Sequence, residues 1–81
     1  MMHHDDFIRY SLRSDELRKE ISRMEYLITK LVYDENMFRY SETPVYGTHK
    51  ETGLVYDVRF LKDKVVEMRE NLAELETKLA S

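Results

Sequence analysis

The amino-acid sequence predicts an all-α protein: an antiparallel, coiled-coil-like helical hairpin with a short β-hairpin or irregular tip, assembling into a four-helix or larger bundle. Three observations carry that expectation. Two long segments place apolar residues at alternating steps of four and three, the spacing of a heptad seam. The only proline and both glycines of the 81 residues fall between those segments, in FRYSETPVYGTHKETGLVYDVRF (38–60), where the chain must reverse. The chain is also short and has no cysteine to form a disulfide. One copy therefore buries little apolar surface, and self-association, first of all as a dimer, is expected.

Within one domain, residues 1–13 are expected to form an N-terminal segment, either a short helix or an arm. Its Phe7, Ile8, Tyr10 and Leu12 extend past the last layer that a second helix can cover. Helix 1 is expected over 14–40, with Ser14 as N-cap, Asp15 and Glu16 favouring the helix dipole in the first turn, and a seam of Leu17, Ile21, Met24, Ile28, Leu31, Glu35 and Phe38. Glu35 is the one charged residue in that seam, and reads as a register-fixing side chain within reach of Arg59 or Lys62.

The tip and turn occupy 41–58. Lys50-Glu51-Thr52-Gly53 suits a type I turn with glycine in the left-handed position, flanked by the strand-forming Val45, Tyr46, Val55, Tyr56 and Val58. The rival is a capping box of Thr48 and Glu51 that opens the second helix early. The β-hairpin is favoured, because Gly53 would weaken a first helical turn. Helix 2 follows over 59–81, on a seam of Val58, Leu61, Val65, Met68, Leu72, Leu75 and Leu79.

Aligning the two seams antiparallel, so that Leu17 faces Leu79 and Ile28 faces Met68, matches core to core in every layer. The flanking charges provide an independent check. In that register Arg18 faces Glu76, Glu25 faces Arg69, Glu20 faces Lys78 and Asp34 faces Lys64, and all four pairs attract. Parallel homodimers of either helix would instead oppose like charges. Exposed pairs of this kind select direction and partner more than they stabilise.

The charge balance, 13 basic against 16 acidic residues with both signs interspersed, does not suggest a dedicated polyanion-binding surface. The opening MMHHDDFIRY lacks the basic-then-apolar form of a secretory signal, and no apolar run approaches a membrane span. A cytoplasmic protein without membrane contact is expected. Catalysis finds no support either: His3 and His4 are adjacent near one end, His49 sits in the tip, and no phosphate loop, nucleophile elbow or helical metal-ligand spacing occurs. No enzyme activity, cofactor or metal is expected.

The residues that invite a functional reading are aromatic. Tyr26, Tyr33 and Tyr40 recur every seven residues on the face opposite the seam, and with Arg23, Lys30 and Met37 they would make one continuous outer stripe on helix 1. Aromatic, methionine and arginine side chains are enriched in protein interfaces. That stripe, together with Tyr46, His49 and Tyr56 in the tip, is the expected partner-binding surface. The corresponding function is non-enzymatic protein binding by a self-associating hairpin acting as an adaptor, assembly factor or inhibitor. The alternative is a small-ligand, nucleotide or single-stranded nucleic-acid binder with a Tyr/Arg site formed between subunits.

Overall fold

The computed structural model describes residues 3–80. Two long helices, α1 (His4–Thr29) and α2 (Val58–Ala80), pack against each other, and the chain between them folds into a small antiparallel sheet. Its strands are β1 (Leu31–Val32), β2 (Tyr46–His49) and β3 (Val55–Asp57) in the order β1-β2-β3, and a 3-10 helix (Glu35–Arg39) lies between the first two.

The helices meet along the two expected seams. Leu17 and Ile21 of α1 and Val65 and Met68 of α2 form a buried cluster, with Met24, Ile28, Leu72 and Leu75 packed against it. The antiparallel register is visible in the ion pairs at its edge: Arg18 Nη2 lies 2.6 Å from Glu76 Oε1, and Arg69 bonds Glu25. The other two expected pairs fare differently. Asp34 caps the 3-10 helix by accepting from Asn36 N–H at 2.9 Å, Lys64 lies 3.7 Å from Glu67, and Lys78 Nζ rests 5.3 Å over the Tyr10 ring.

Helix 1 departs from its expected bounds at both ends. It begins at His4, because Phe7 to Leu12 contain no glycine or proline to stop it, and Asp5 and Asp6 occupy its first turn. Ser14 is therefore no N-cap. It lies in mid-helix on the seam, 1% exposed, and its Oγ has no hydrogen-bond partner among the described residues. At the other end the helix stops at Thr29 rather than near 40. Lys30 N–H closes the last turn on Leu27 O (2.9 Å), and Lys30 O then accepts from Lys50 N–H (2.9 Å), which commits the next residues to the sheet. The seam positions beyond this point keep their burial by another route: Leu31 enters the core from a strand, and Phe38 packs on it from the 3-10 helix. Glu35 does not enter the core at all, being exposed in the first turn of that 3-10 helix.

The tip contains the expected β-hairpin, with Gly47 opposite Tyr56 and Thr48 opposite Val55. Gly53, at φ 74°, supplies the left-handed residue of the connecting turn, and its N–H bonds His49 O at 3.0 Å. His49 Nδ1 accepts from the N–H groups of Glu51 (3.1 Å) and Thr52 (3.2 Å) and so holds the turn from inside. Thr48 is a strand residue, and no capping box forms. The second helix starts at Val58, where Asp57 Oδ1 accepts from Phe60 N–H at 3.1 Å, an N-cap interaction.

A second core cluster joins sheet to helices: Leu31, Val45, Val58 and Leu61, with Tyr33, Met37, Phe38 and Tyr56 among the side chains packed on it. Val58 is fully buried, and its N–H bonds Val45 O at 2.7 Å. A Cβ placed on Gly47 would come within 2.7 Å of Val58 Cγ2 and 3.2 Å of Leu31 Cβ. Both neighbours are held by packing, so Gly47→Ala should lower stability by about 1–3 kcal/mol, the usual cost of overpacking. Gly53→Ala meets no atom but inherits the positive φ, and should cost about 1–2 kcal/mol. Urea denaturation of both variants checks the two values. A Gly47→Ala protein as stable as the parent would contradict the close approach.

Candidate functional site

The sheet has two unlike faces. Leu31, Gly47 and Tyr56 alternate toward the helices, whereas Val32, Thr48 and Val55 form a single row across the three strands on the other side, with Tyr46 in the next row of β2. Val32 (60%), Tyr46 (64%) and Val55 (63%) are among the most exposed large apolar side chains of the described residues. A solvated sheet face ordinarily carries polar residues. Here it carries two valines, a tyrosine and a threonine with nothing over them, and one charged residue, Asp57, opposite the tyrosine.

The rim of this patch is ordered by charge. Lys30, at the end of α1, reaches 3.1 Å to Glu51 in the hairpin turn, and its ammonium also lies 5.3 Å over the Tyr26 ring. The hydrogen bond to Glu51 raises the Lys30 pKa above its ordinary 10.5, and the same bond to Lys30 lowers that of Glu51 below 4.5. A lowered carboxylate contributes stability above its unfolded pKa and loses it as pH falls through the folded value. A raised lysine contributes below its unfolded pKa and loses it as pH rises through the folded one. The turn is thus tied to α1 over the whole range between pH 4.5 and 10.5. In an NMR titration Glu51 should protonate below pH 4.5, and Lys30→Met should return its midpoint to that value. An unchanged midpoint would show that the pair does not form.

The nine residues singled out from the sequence are not brought together. Arg23 and Tyr26 lie exposed on α1, as expected, but the stripe ends with the helix. Lys30 is engaged by Glu51, and Tyr33 and Met37 turn inward onto the second core cluster. Tyr40 is exposed after the 3-10 helix, remote in backbone conformation from a helical position. In the tip, Tyr46 stands on the open sheet face, whereas His49 serves the turn and Tyr56 packs on the core. Of the nine, Tyr46, with Tyr26 and Lys30 at its rim, therefore belongs to the exposed patch. Val32 and Val55 were missed. The strand alternation of 55–57 was a signal for Val55, but Val32 was concealed by being read as a helical position.

Arg59 and Lys62 of α2 organise the segment leading to β2. Arg59 Nε donates to Thr43 O (2.9 Å), and its Nη2 donates to Tyr40 O (2.7 Å) and Met37 O (3.3 Å). Its guanidinium also sits 5.2 Å from the Phe38 ring, while Lys62 Nζ lies 4.6 Å from Phe38 and 5.3 Å from Tyr33. One side chain thus satisfies three carbonyls of an irregular loop, a donor set that lysine cannot reproduce. Arg59→Lys should destabilise by about 1–3 kcal/mol and raise amide exchange across 37–45, measured by denaturation and hydrogen exchange.

A groove also runs along one broad face of the helix pair. Its first part, about 420 Å³, is lined by Glu25, Ile28, Thr29, Lys62, Val65 and Val66. It continues past Ile28 and Thr29 into a second hollow of about 450 Å³ beside Val32, Tyr33 and Glu35. Among the described residues no cluster of His, Asp or Glu has the arrangement of a metal site, and no helix is long and apolar enough to cross a membrane. Comparison with known proteins finds no family model that matches the chain, and no curated protein or solved structure with significant similarity to it.

Proposed function

We propose that this protein is a non-enzymatic binding module that self-associates through its helices and receives another protein on the outer face of its sheet. One observation supports the reading above others: Val32, Val55 and Tyr46 stand exposed on the outer sheet face, flanking Thr48, with nothing over them. Water against such a face is costly, and each of these residues buries apolar area at about 25 cal/mol/Å² when a partner covers it. The rigid backing matters equally. Gly47 seats the sheet on Val58, and the Lys30–Glu51 pair holds the turn, so little ordering remains to oppose binding. The function is then that of an adaptor, assembly factor or inhibitor, whose chemistry is recognition alone.

The double variant Tyr46→Glu, Val55→Glu tests this. Both side chains are solvent-exposed, so the variant should keep the parent's circular dichroism and its stability to within about 1 kcal/mol. Affinity capture from the native host should yield a discrete protein with the parent chain and lose it with the variant. Capture that is unaffected by the two carboxylates would remove the sheet face from the functional account.

A further inference from the structure

The smallest principal extent of the molecule is 13 Å, against 48 and 28 Å, so the two helices lie side by side as a single-layer plate. Stable domains bury apolar surface between two layers. The two broad faces of this plate differ in kind. One carries Glu16, Glu20, Arg23, Lys64, Glu67 and Glu74 with the exposed Phe60, and a hollow of about 290 Å³ among Glu20, Arg23, Met24 and Leu27. The other carries the groove and two interhelical ion pairs, and heptad geometry places Ser22 and Ala73 between those pairs and Thr29 and Val66 just beyond the second. Lys62, at its far end, is turned onto the rings of Tyr33 and Phe38.

The two ion pairs form a rectangle of alternating charge. Arg18 and Glu76 share one level, Glu25 and Arg69 the next, seven residues or about 10 Å along the helices, with Ser22 and Ala73 midway. A pattern of this kind complements itself. When a second plate is turned over end to end, about a two-fold axis through the level of Ser22 and Ala73, each Arg18 comes over the second copy's Glu25 and each Glu76 over its Arg69. The small side chains at the centre permit close approach, and Val66 is enclosed.

The same operation explains the projecting start of α1. Phe7 and Ile8, each a little under half exposed, extend beyond the end of α2. In the end-to-end stack they run along the second copy's groove toward its β1 end, where the hollow beside Tyr33 and Glu35 lies. Stacking with both tips at the same end would also match the charges, but it would leave Phe7 and Ile8 over nothing.

We infer that the grooved face is the site of a second copy of this chain, docked with its helices antiparallel to form a four-helix bundle with the tips at opposite ends. The inference rests on the self-association in the proposed function and specifies its face and direction. The double exchange Glu25→Arg, Arg69→Glu tests it. That exchange preserves the pair within one chain, while it sets the new guanidinium at position 25 over the second copy's Arg18 and the new carboxylate at position 69 over its Glu76.

The parent should be a dimer by light scattering. The exchanged protein should keep its helical circular dichroism but dimerise roughly tenfold more weakly at low salt, and the difference should shrink as salt is raised. Adding Arg18→Glu and Glu76→Arg restores the alternating pattern and should restore most of the dimer. A parent that is dimeric but indifferent to the exchange would overturn this face and direction while leaving self-association standing. A monomeric parent would overturn both.

Discussion

The approach of Val58 to the backbone of Gly47 is the constraint on which the rest of the structure depends. Val58 is at once the first residue of α2, a donor to Val45 O, and the fully buried centre of the cluster shared by sheet and helices. Only a residue without a Cβ can lie over it, so β2 must present Gly47 at that point and no other. With Gly47 placed, the alternation of the strand follows: Val45 goes in, Tyr46 and Thr48 go out, and His49 comes opposite Leu31. The bond from Lys50 N–H to Lys30 O then draws the end of α1 into the sheet. A helix that could have continued ends there, because its next residues gain a strand partner.

The electrostatics of the molecule are arranged for geometry more than for stability. Arg18–Glu76 and Glu25–Arg69 are solvent-exposed, and pairs of that kind contribute about 0.2–1 kcal/mol each. Their consequence lies in direction. They oppose a parallel pairing of like helices, hold one broad face of the plate electrically alternating, and leave its centre to serine and alanine. Arg59 acts in another way, since its three bonds to loop carbonyls replace the backbone partners that the 37–43 segment does not find in a sheet or helix.

The unburied apolar surface is divided between two places with different demands. On the sheet, Val32, Tyr46 and Val55 form a small rigid face with a charged rim, the kind of surface that a folded partner covers. On the helices, the groove and the projecting Phe7 and Ile8 are extended along one direction, which suits another elongated body such as a second hairpin. The two places meet at Val32, which stands in the outer sheet row and also lines the hollow at the end of the groove.

What the sequence by itself determined is the part carried by local pattern: two heptad seams, their antiparallel register through Arg18–Glu76 and Glu25–Arg69, and the β-hairpin at Gly53, whose left-handed conformation few other residues adopt. These depend on residues close in sequence or on a periodicity that sums over many of them. What only the tertiary structure decided is where helix 1 stops and which aromatic rings face outward. Leu31 and Phe38 satisfy a heptad equally well as helix, strand or 3-10 residues, since each route buries them, and the choice is made by a strand that arrives later in the chain. Tyr26, Tyr33 and Tyr40 would share a face only if the helix ran on, and once β1 pairs with β2 the first stays exposed, the second turns into the core and the third follows the loop. Val32 made the opposite passage, from a helical position at the seam's edge to the exposed sheet face, because the side on which a strand residue points is settled by its partner and not by its neighbours in the chain.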